Sequence, residues 1–326
     1  MQKVSILVPI YNVEKYIERC AVSLFEQTYD NVEFVFVDDK GTDSSMSILK
    51  DVIKRYPNRS GNVKIVDHVA NRGLASARNT ALENSEGDFV IHVDSDDFVE
   101  KDMVERCVIC QEQNDADIVL YGFRHLHSDR SYVELQVSPE SQTDYINKLI
   151  LRQTAVCVCG AMYRKELYIR NDVRAIVGLN MGEDYATKPR LAYFAKRICN
   201  IELPLYNYVH YNESSYTSRC DTKSIENLYR ALEVLKAFFK EHDETAYDSA
   251  LERADILQSV LLIKLWASTD SKESDLELIR QHIEKDGHMP DLSILDSFLI
   301  LLVRYRMTGL LRLIVRGGMK IKHILK

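Results

Sequence analysis

Three aspartates and a serine close the segment DFVIHVDSDDFV, residues 88–99, directly after a short apolar run. A strand apolar enough to be buried does not end in Asp94, Asp96 and Asp97 unless something there offsets their repulsion. Two carboxylates spaced i, i+2 on a strand end, Asp94 and Asp96, can aim oxygens at one point, and oxygen donors suit a hard divalent cation such as Mg2+ or Mn2+. Such a cation fills its shell with water and substrate phosphates. A diphosphate bound there would bridge the metal and a cation such as Arg78. An isolated D-x-D also fits a solvated turn with Asp97 as a helix cap, so the elements that position these residues decide between the two.

The first hundred residues alternate between apolar β-rich runs and helical periodicity. VSILVPI, VEFVFV, VKIVDH and DFVIHV read as four strands; VEKYIERCAVSLFEQT, SMSILKDVIKRY and GLASARNTALENS read as the helices between them, with Asp43 or Ser44 capping the second. Strands apolar throughout and separated by helices predict an α/β fold with a mainly parallel sheet covered on both faces. In such sheets ligands gather beyond the carboxyl ends of the strands. Those ends receive Pro9 and Tyr11, then Asp38 and Asp39, then Asp94, Ser95 and Asp96, with Arg78 on the third helix. Tyr11 offers an aromatic face to a nucleobase, and Asp39 can accept a base N–H.

Further on the pattern loosens: a helix MVERCVICQEQ, a strand ADIVLYGF, an exposed polar stretch from Arg124 to Asp144, and a helix opening on Glu183 and Asp184. At a helix start the macrodipole favours ionised carboxylates, and Asp184 is placed to act as a general base for a hydroxyl nucleophile; the pair also suits simple capping. From 217 to 326 the periodicity is helical, and the chain closes on a basic tail with no acid after Asp296. We therefore divide the chain into 1–97, which carries the strand-end residues named above, 98–216, and a helical region 217–326.

The net charge of −7 argues against nucleic acid as the main partner. Seven cysteines, including Cys107 and Cys110 as a C-x-x-C within a helix and without a second pair, predict buried free thiols and a reducing, cytoplasmic compartment. The N-terminal run reads as a strand, not a leader, and no stretch reaches the twenty or so apolar residues needed to cross a bilayer. The tail, with Leu310, Leu311, Leu313, Ile314, Met319 and Ile321 among arginines and lysines, suits an amphipathic helix on an anionic inner leaflet, or equally a helix packed on its own domain or on a second copy.

VSILVPIYNVEKYIERCAVSLFEQTYDNVEFVFVDD, GTDSS, NRGLASARNTAL, GDFVIHVDSDD and GED, in that order, resemble the family 2 inverting glycosyltransferases of bacterial polysaccharide biosynthesis. The match is dense over residues 3–100, thinner to about 216, and absent over the tail. The resemblance implies a GT-A fold, Rossmann-like, with a C-terminal helical extension, and transfer of a sugar from a nucleotide diphosphate sugar, a UDP-sugar by expectation, to a glycan or lipid-linked glycan hydroxyl. It assigns Pro9, Tyr11, Asp38, Asp39, Asn71, Arg78, Asp94 and Ser95 to the nucleotide, Asp96 with Asp94 to Mn2+ or Mg2+, and Asp184 to the catalytic base. Glu183 and His210 stand beside these as weaker substrate contacts. Two departures are Lys40, where the family pattern D-D-G-S-T-D has glycine, and Val209 and His210, where an arginine commonly follows the tyrosines. Three other readings stand beside this one. A non-catalytic nucleotide-sugar binding subunit would not need both Asp96 and Asp184. A phospho-receiver module would carry its acid pair after the first strand, where Pro9 and Tyr11 stand. A two-carboxylate hydrolase leaves Tyr11 and Asp39 without a role.

Overall fold

The computed structural model describes residues 2–212, 221–242, 244–286 and 292–324. The chain divides into two compact units, 1–213 and 214–326. The expected boundary at 216, and Cys220, lie outside the described residues.

The first unit alternates β1 (Val4–Ile10), α1 (Ile17–Phe25), β2 (Val32–Asp38), α2 (Ser45–Arg55), α3 (Pro57–Ser60), β3 (Val63–Asp67), α4 (Leu74–Glu83) and β4 (Phe89–His92). It continues through β5 (Phe98–Val99), α5 (Met103–Asn114), β6 (Ile118–Leu126), β7 (Ser131–Glu134), α6 (Gln142–Ile150), β8 (Ala161–Arg164), α7 (Lys165–Arg170), α8 (Glu183–Phe194) and β9 (Ile198–Val209). One sheet runs in the order β3-β2-β1-β4-β8-β6-β9-β5, with β7 on β6. Strands β1 to β4 pair in parallel. Strand β8 is antiparallel to β4 and to β6, and β9 is parallel to β6, so six of the nine strands point the same way. Their carboxyl ends define one edge, and the chemistry-bearing residues gather there.

Every residue of β1 and β2 is buried, as strands covered on both faces require. One layer of the core packs Ile17, Cys20 and Leu24 of α1 against Phe34 and Phe36 of β2 and Ile6 and Val8 of β1. Helix α1 begins four residues later than the periodicity from Val13 predicts. The amides that would open it are held elsewhere: Val13 N donates to Ser45 Oγ and Glu14 N to Asp43 Oδ2, at 2.9 and 2.8 Å. Asp43 also accepts from Ser45 N at 3.0 Å, so Asp43, not the Ser44 side chain, caps α2. The polar stretch after β6 is not a loop throughout. Strand β6 runs on through Arg124, His125 and Leu126 and pairs with the exposed β7.

The second unit is helical: α9 (Thr222–Glu241), α10 (Asp248–Ser268), α11 (Glu273–Asp286), α12 (Ile294–Arg304) and α13 (Thr308–Ile324). Trp266 is fully buried, and Arg312 lies over its ring at 4.3 Å while donating to Ser271 O at 2.6 Å. Arg316 donates to Ala267 O and Thr269 O, near the carboxyl end of α10, where the macrodipole favours a cation. Two of the tail arginines expected on a free cationic face therefore bind their own unit. The side chains of Met319, Lys320, Ile321, Lys322 and Lys326 lie outside the described residues. Among the described residues no helix is long and apolar enough to cross a membrane. Six of the cysteines are described, all free; Cys20, Cys107 and Cys159 are buried and Cys110, Cys157 and Cys199 partly so.

Candidate active site

Pro9 is buried in β1, and Tyr11, just past its end, is 42% exposed. Asn12 follows at φ 53° and accepts from Thr42 N at 2.8 Å, which ties the end of β1 to the turn after β2. In that turn Lys40 takes φ 57°, the left-handed conformation that a glycine in its place would adopt without strain. Asp38 holds it there: Oδ1 accepts from Lys40 N at 2.8 Å and Oδ2 from Lys40 Nζ at 3.0 Å. Lys40 Nζ reaches Asp67 as well, at 3.2 Å.

Asp39 is 2% exposed and well supplied with donors. Oδ1 meets His68 Nδ1 at 2.6 Å and accepts from Arg72 N at 2.8 Å, and Oδ2 accepts from Gly73 N at 2.9 Å. His68 Nε2 lies 2.9 Å from Thr80 Oγ1 of α4. Asp39 thus sets the loop between β3 and α4, which carries Asn71 exposed at its tip; Gly73, at φ 85°, turns that loop into the helix. A carboxylate oxygen accepts two hydrogen bonds, so Asp39 keeps room at Oδ2 for one more donor.

Arg78 of α4 is 4% exposed and binds on two sides. Its NH2 stands 2.9 Å from Asp94 Oδ1, and its Nε stands 3.7 Å from both Glu183 Oε1 and Asp184 Oδ1. Acids 89 and 90 residues apart therefore converge on one buried guanidinium, Asp94 after β4 and the pair that opens α8. Arg78 Nε and NH1, and Asp184 Oδ1, are buried without a hydrogen-bond partner among the described residues. Gly182, at φ 87°, is the N-cap residue that admits the pair. A small cavity behind them is lined by Arg78, His92, Tyr168, Asp184 and Thr187.

The expectation that the helix dipole keeps this pair readily ionised is corrected by its burial. Glu183 is pushed up to about 8, by desolvation first and then by the charge of Asp184. Asp184 is also raised, by desolvation and by Asp94, against the pull of Arg78. A dipole worth less than about 1–2 kcal/mol does not outweigh removal of a carboxylate from water.

The D-x-D loop is tied down from β9. Asn212 Nδ2 donates to Asp96 Oδ2 at 2.8 Å. Tyr206 Oη donates to Asp97 Oδ2 at 2.7 Å and accepts from Asp94 N at 3.0 Å, and Val209 N donates to Asp97 Oδ1 at 2.7 Å. Asp97 is therefore an anchor for β9, with both oxygens used, and not a helix cap. Ser95 is buried between the acids. From α1, Arg19 donates to Asp96 O at 3.3 Å and to Tyr211 Oη at 2.6 Å. Burial and Asp94 raise Asp96, and burial, Asp96 and Asp94 raise Asp97 well above the usual carboxylate range. Clustered acids in this state bind a counter-charge with gain.

The donor set fits a hard divalent cation. Asp94 Oδ2 and Asp96 Oδ1 are the carboxylate oxygens that Arg78 and Asn212 leave open, and two carboxylates with water and phosphate are the usual complement for Mg2+ or Mn2+. Among the described residues no group of three or more His, Cys, Asp or Glu is placed to hold a metal ion. A protein shell of two acids would leave most coordination positions to water and substrate.

Residues 5–171 match the family model described as glycosyl transferase family 2. The chain belongs to glycosyltransferase family 2. It is similar to the Bacillus subtilis glycosyltransferase EpsJ, 34% identical, across 63% of this chain and 60% of EpsJ, so it spans less than two thirds of that relative. It is 26% identical to the putative glycosyltransferase EpsH of the same organism, over 93% of this chain and 92% of EpsH. Among solved structures, residues 1–349 of Staphylococcus aureus TarS superpose with a TM-score of 0.59 at 20% identity, covering 98% of this chain and 91% of that one. The mannosyltransferase PcManGT of Pyrobaculum calidifontis, solved with GDP-Man and Mn2+, superposes at 0.57 with 18% identity, covering 96% and 85%. These neighbours share the GT-A fold with this glycosyltransferase.

Of the residues read from the sequence, Asp94, Arg78, Glu183 and Asp184 form one contact network, Asp96 adjoins it, and Asp38, Asp39, Tyr11 and Asn71 line the same edge over β1 to β3. His210 joins none of these contacts directly; it follows β9 on the same edge and meets His125 at 2.8 Å. His68, Tyr206 and Asn212 were not singled out by motif.

Proposed function

We propose that this glycosyltransferase moves a sugar from a UDP-sugar to an acceptor hydroxyl with inversion, in cell-surface polysaccharide synthesis. The observation that carries the reading is the convergence of Asp94 and the Glu183–Asp184 pair on buried Arg78, whose Nε and NH1 stay without hydrogen-bond partners among the described residues. Nε faces the Glu183–Asp184 pair and NH2 faces Asp94, so NH1 is the guanidinium donor that suits a diphosphate oxygen. In this reading Tyr11 stacks on the base, Asp39 Oδ2 accepts a base N–H, and Asp38 and Asn71 flank the nucleoside. Asp94 and Asp96 would hold Mn2+ or Mg2+, which supplies Lewis acidity toward the charge developing on the leaving diphosphate. Asp184 takes the proton from the acceptor hydroxyl, with its raised basicity matched to that task, and Glu183, protonated near neutrality, keeps a second negative charge away from it. Arg78 holds Asp184 and Asp94 in place.

The nucleotide assignment is supported by the TarS fragment solved in complex with UDP-GlcNAc, and the metal by the Mn2+ complex of PcManGT. Asp184→Asn is expected to abolish transfer while UDP still raises the melting temperature in Mn2+; Asp96→Ala is expected to abolish both. Transfer at the wild-type rate by Asp184→Asn would overturn the assignment of the base. Binding of UDP-sugars with no nucleotide release from any acceptor mixture would favour the non-catalytic subunit instead.

The acceptor is a glycan, free or lipid-linked, and the enzyme works in the cytoplasm at the inner face of the membrane. Support comes from α12, where Ile294, Leu295, Phe298, Leu301 and Tyr305 are exposed on one face, and from Leu310 and Leu313 of α13. Residues 297–326 carry seven Lys or Arg and no acid; Arg312 and Arg316 are bound to their own unit and Arg306 faces Glu277, so the complement to anionic lipid rests on Arg304, Lys320, Lys322 and Lys326, whereas a homodimer through this face would oppose like charges. Sedimentation with phosphatidylglycerol vesicles but not with phosphatidylcholine vesicles is expected, and a concentration-dependent dimer with no sedimentation would overturn it.

A further inference from the structure

The hairpin of β6 and β7 carries a block of rings that donor binding and proton transfer leave without a task. Tyr132 lies on His125 with centroids 4.6 Å apart and planes 15° from parallel. His127 lies on His210 at 4.2 Å and 7°, and the His127 and Tyr132 planes differ by 19°. Hydrogen bonds fix the block: His125 Nδ1 meets His210 Nε2 at 2.8 Å, and His125 Nε2 meets Glu134 Oε2 at 2.9 Å. The two stacked pairs are close to parallel and His125 and His210 differ by 31°; the block is open to solvent at Tyr132, 48% exposed, and at His210, with His127 half-buried and His125 largely covered behind them. An ordered, exposed aromatic face gains little from the fold and much from a ligand, because its side-chain entropy is already spent.

Its position matters as much as its shape. His125 lies near the carboxyl end of β6 and His210 follows that of β9, on the edge that holds Asp94 and Asp96. Strand β6 is two places from β4 in the sheet, a lateral step of about 10 Å, or roughly two sugar rings. His210 sits between Val209, bound to Asp97, and Asn212, bound to Asp96. Glu134 Oε2 is occupied by His125, and Oε1 takes no partner among the described residues. A flat aromatic face suits the C–H face of a pyranose, and a carboxylate beside it accepts sugar hydroxyls and repels phosphate.

We propose that the shelf formed by Tyr132, His125, His127 and His210, edged by Glu134, is the acceptor subsite, and that it takes a neutral pyranose and not a phosphate-bearing polyol. The assignment rests on the transferase reading above. Its test uses the full chain with 13C-labelled histidine, titrated with methyl β-D-glucopyranoside, methyl β-D-galactopyranoside and methyl N-acetyl-β-D-glucosaminide, with glycerol phosphate as the charged probe. At least one glycoside shifts the imidazole signals of His125 and His127, Tyr132→Ala weakens that binding roughly tenfold, and Tyr132→Phe retains it. Thermal stabilisation by UDP with Mn2+ stays the same in Tyr132→Ala, so a loss there would indict the donor site and not the shelf. Failure of all three glycosides to move the signals, equal binding by Tyr132→Ala, or tighter binding of glycerol phosphate would each overturn the proposal.

Discussion

Arg78 NH2 stands 2.9 Å from Asp94 Oδ1, and through the same guanidinium Asp94 is joined to the acids that open α8. One side chain, on the third long helix, therefore neutralises carboxylates delivered by a strand end and by a distant helix start. Removing it leaves those acids in a buried cluster whose one remaining cationic influence on Asp184 is the more distant Lys188. Breaking a buried ion pair from one side costs about 3–5 kcal/mol. Arg78→Gln is expected to lower the melting temperature by about 6 °C or more, and Arg78→Lys, which keeps the charge but not the fork, by less. Thermal denaturation of the metal-free protein checks this, and an unchanged midpoint would refute the neutralising role.

A pH dependence follows from Glu183. Its carboxyl titrates at about 8 in the folded chain against an ordinary value of 4.5, so the native state binds the extra proton between those values. The group's contribution to stability is full below pH 4.5 and is lost as pH rises toward 8. Glu183→Gln keeps a neutral side chain at all pH values and removes that slope. The difference in melting temperature, variant minus wild type, is expected to grow from pH 5 to pH 8 and then level off; a difference independent of pH would contradict the burial argument.

Tyr206 supplies a third expectation. Its hydroxyl bridges Asp94 N and Asp97 Oδ2, so Tyr206→Phe leaves a buried amide and a buried carboxylate each short of a partner. The loss is about 1–3 kcal/mol. Mn2+ affinity, measured by calorimetry, is expected to fall with it, because the loop that carries Asp94 and Asp96 is no longer fixed to β9. Loss of stability with unchanged Mn2+ affinity would confine Tyr206 to a structural role.

The first four strands are legible because a parallel sheet covered on both faces demands near-continuous apolar runs, and Ile6–Ile10 and Phe34–Val37 supply them, with Ser5 and Glu33 as buried polar exceptions. The acids at the strand ends were legible for the same reason: a charge cluster after such a run has no cheap explanation. What stayed hidden is the set of partners that come from far along the chain. His68 meets Asp39 across 29 residues, and Asn212 reaches Asp96 across 116. Nothing local to a histidine after a strand, or to an asparagine after a tyrosine-rich one, signals such a bond. The β6–β7 hairpin is not legible because Arg124 and His125 are polar at the end of β6 and the edge strand β7 is exposed throughout, so period-two burial is weak. The direction of the Glu183 and Asp184 shifts is not legible either, because helix position is visible in sequence and desolvation is not.

Lys40 offers the last test, one in which strain and contact oppose each other. It occupies φ 57°, where a side chain bearing Cβ is strained and glycine is not, yet its amide and ammonium groups both bind Asp38. Lys40→Gly keeps the amide contact and relieves the strain, and it gives up an ammonium group whose pair with Asp67 is exposed and whose pair with Asp38 is half in solvent, both weakened by salt. The melting temperature of Lys40→Gly is therefore expected to equal or exceed that of the wild type, most clearly at high salt. On the proposed function, UDP binding should also change in this variant, since Asp38 Oδ2 loses its cation. A variant that melts lower at every salt concentration would mean that the ammonium contacts, and not the backbone, hold this turn.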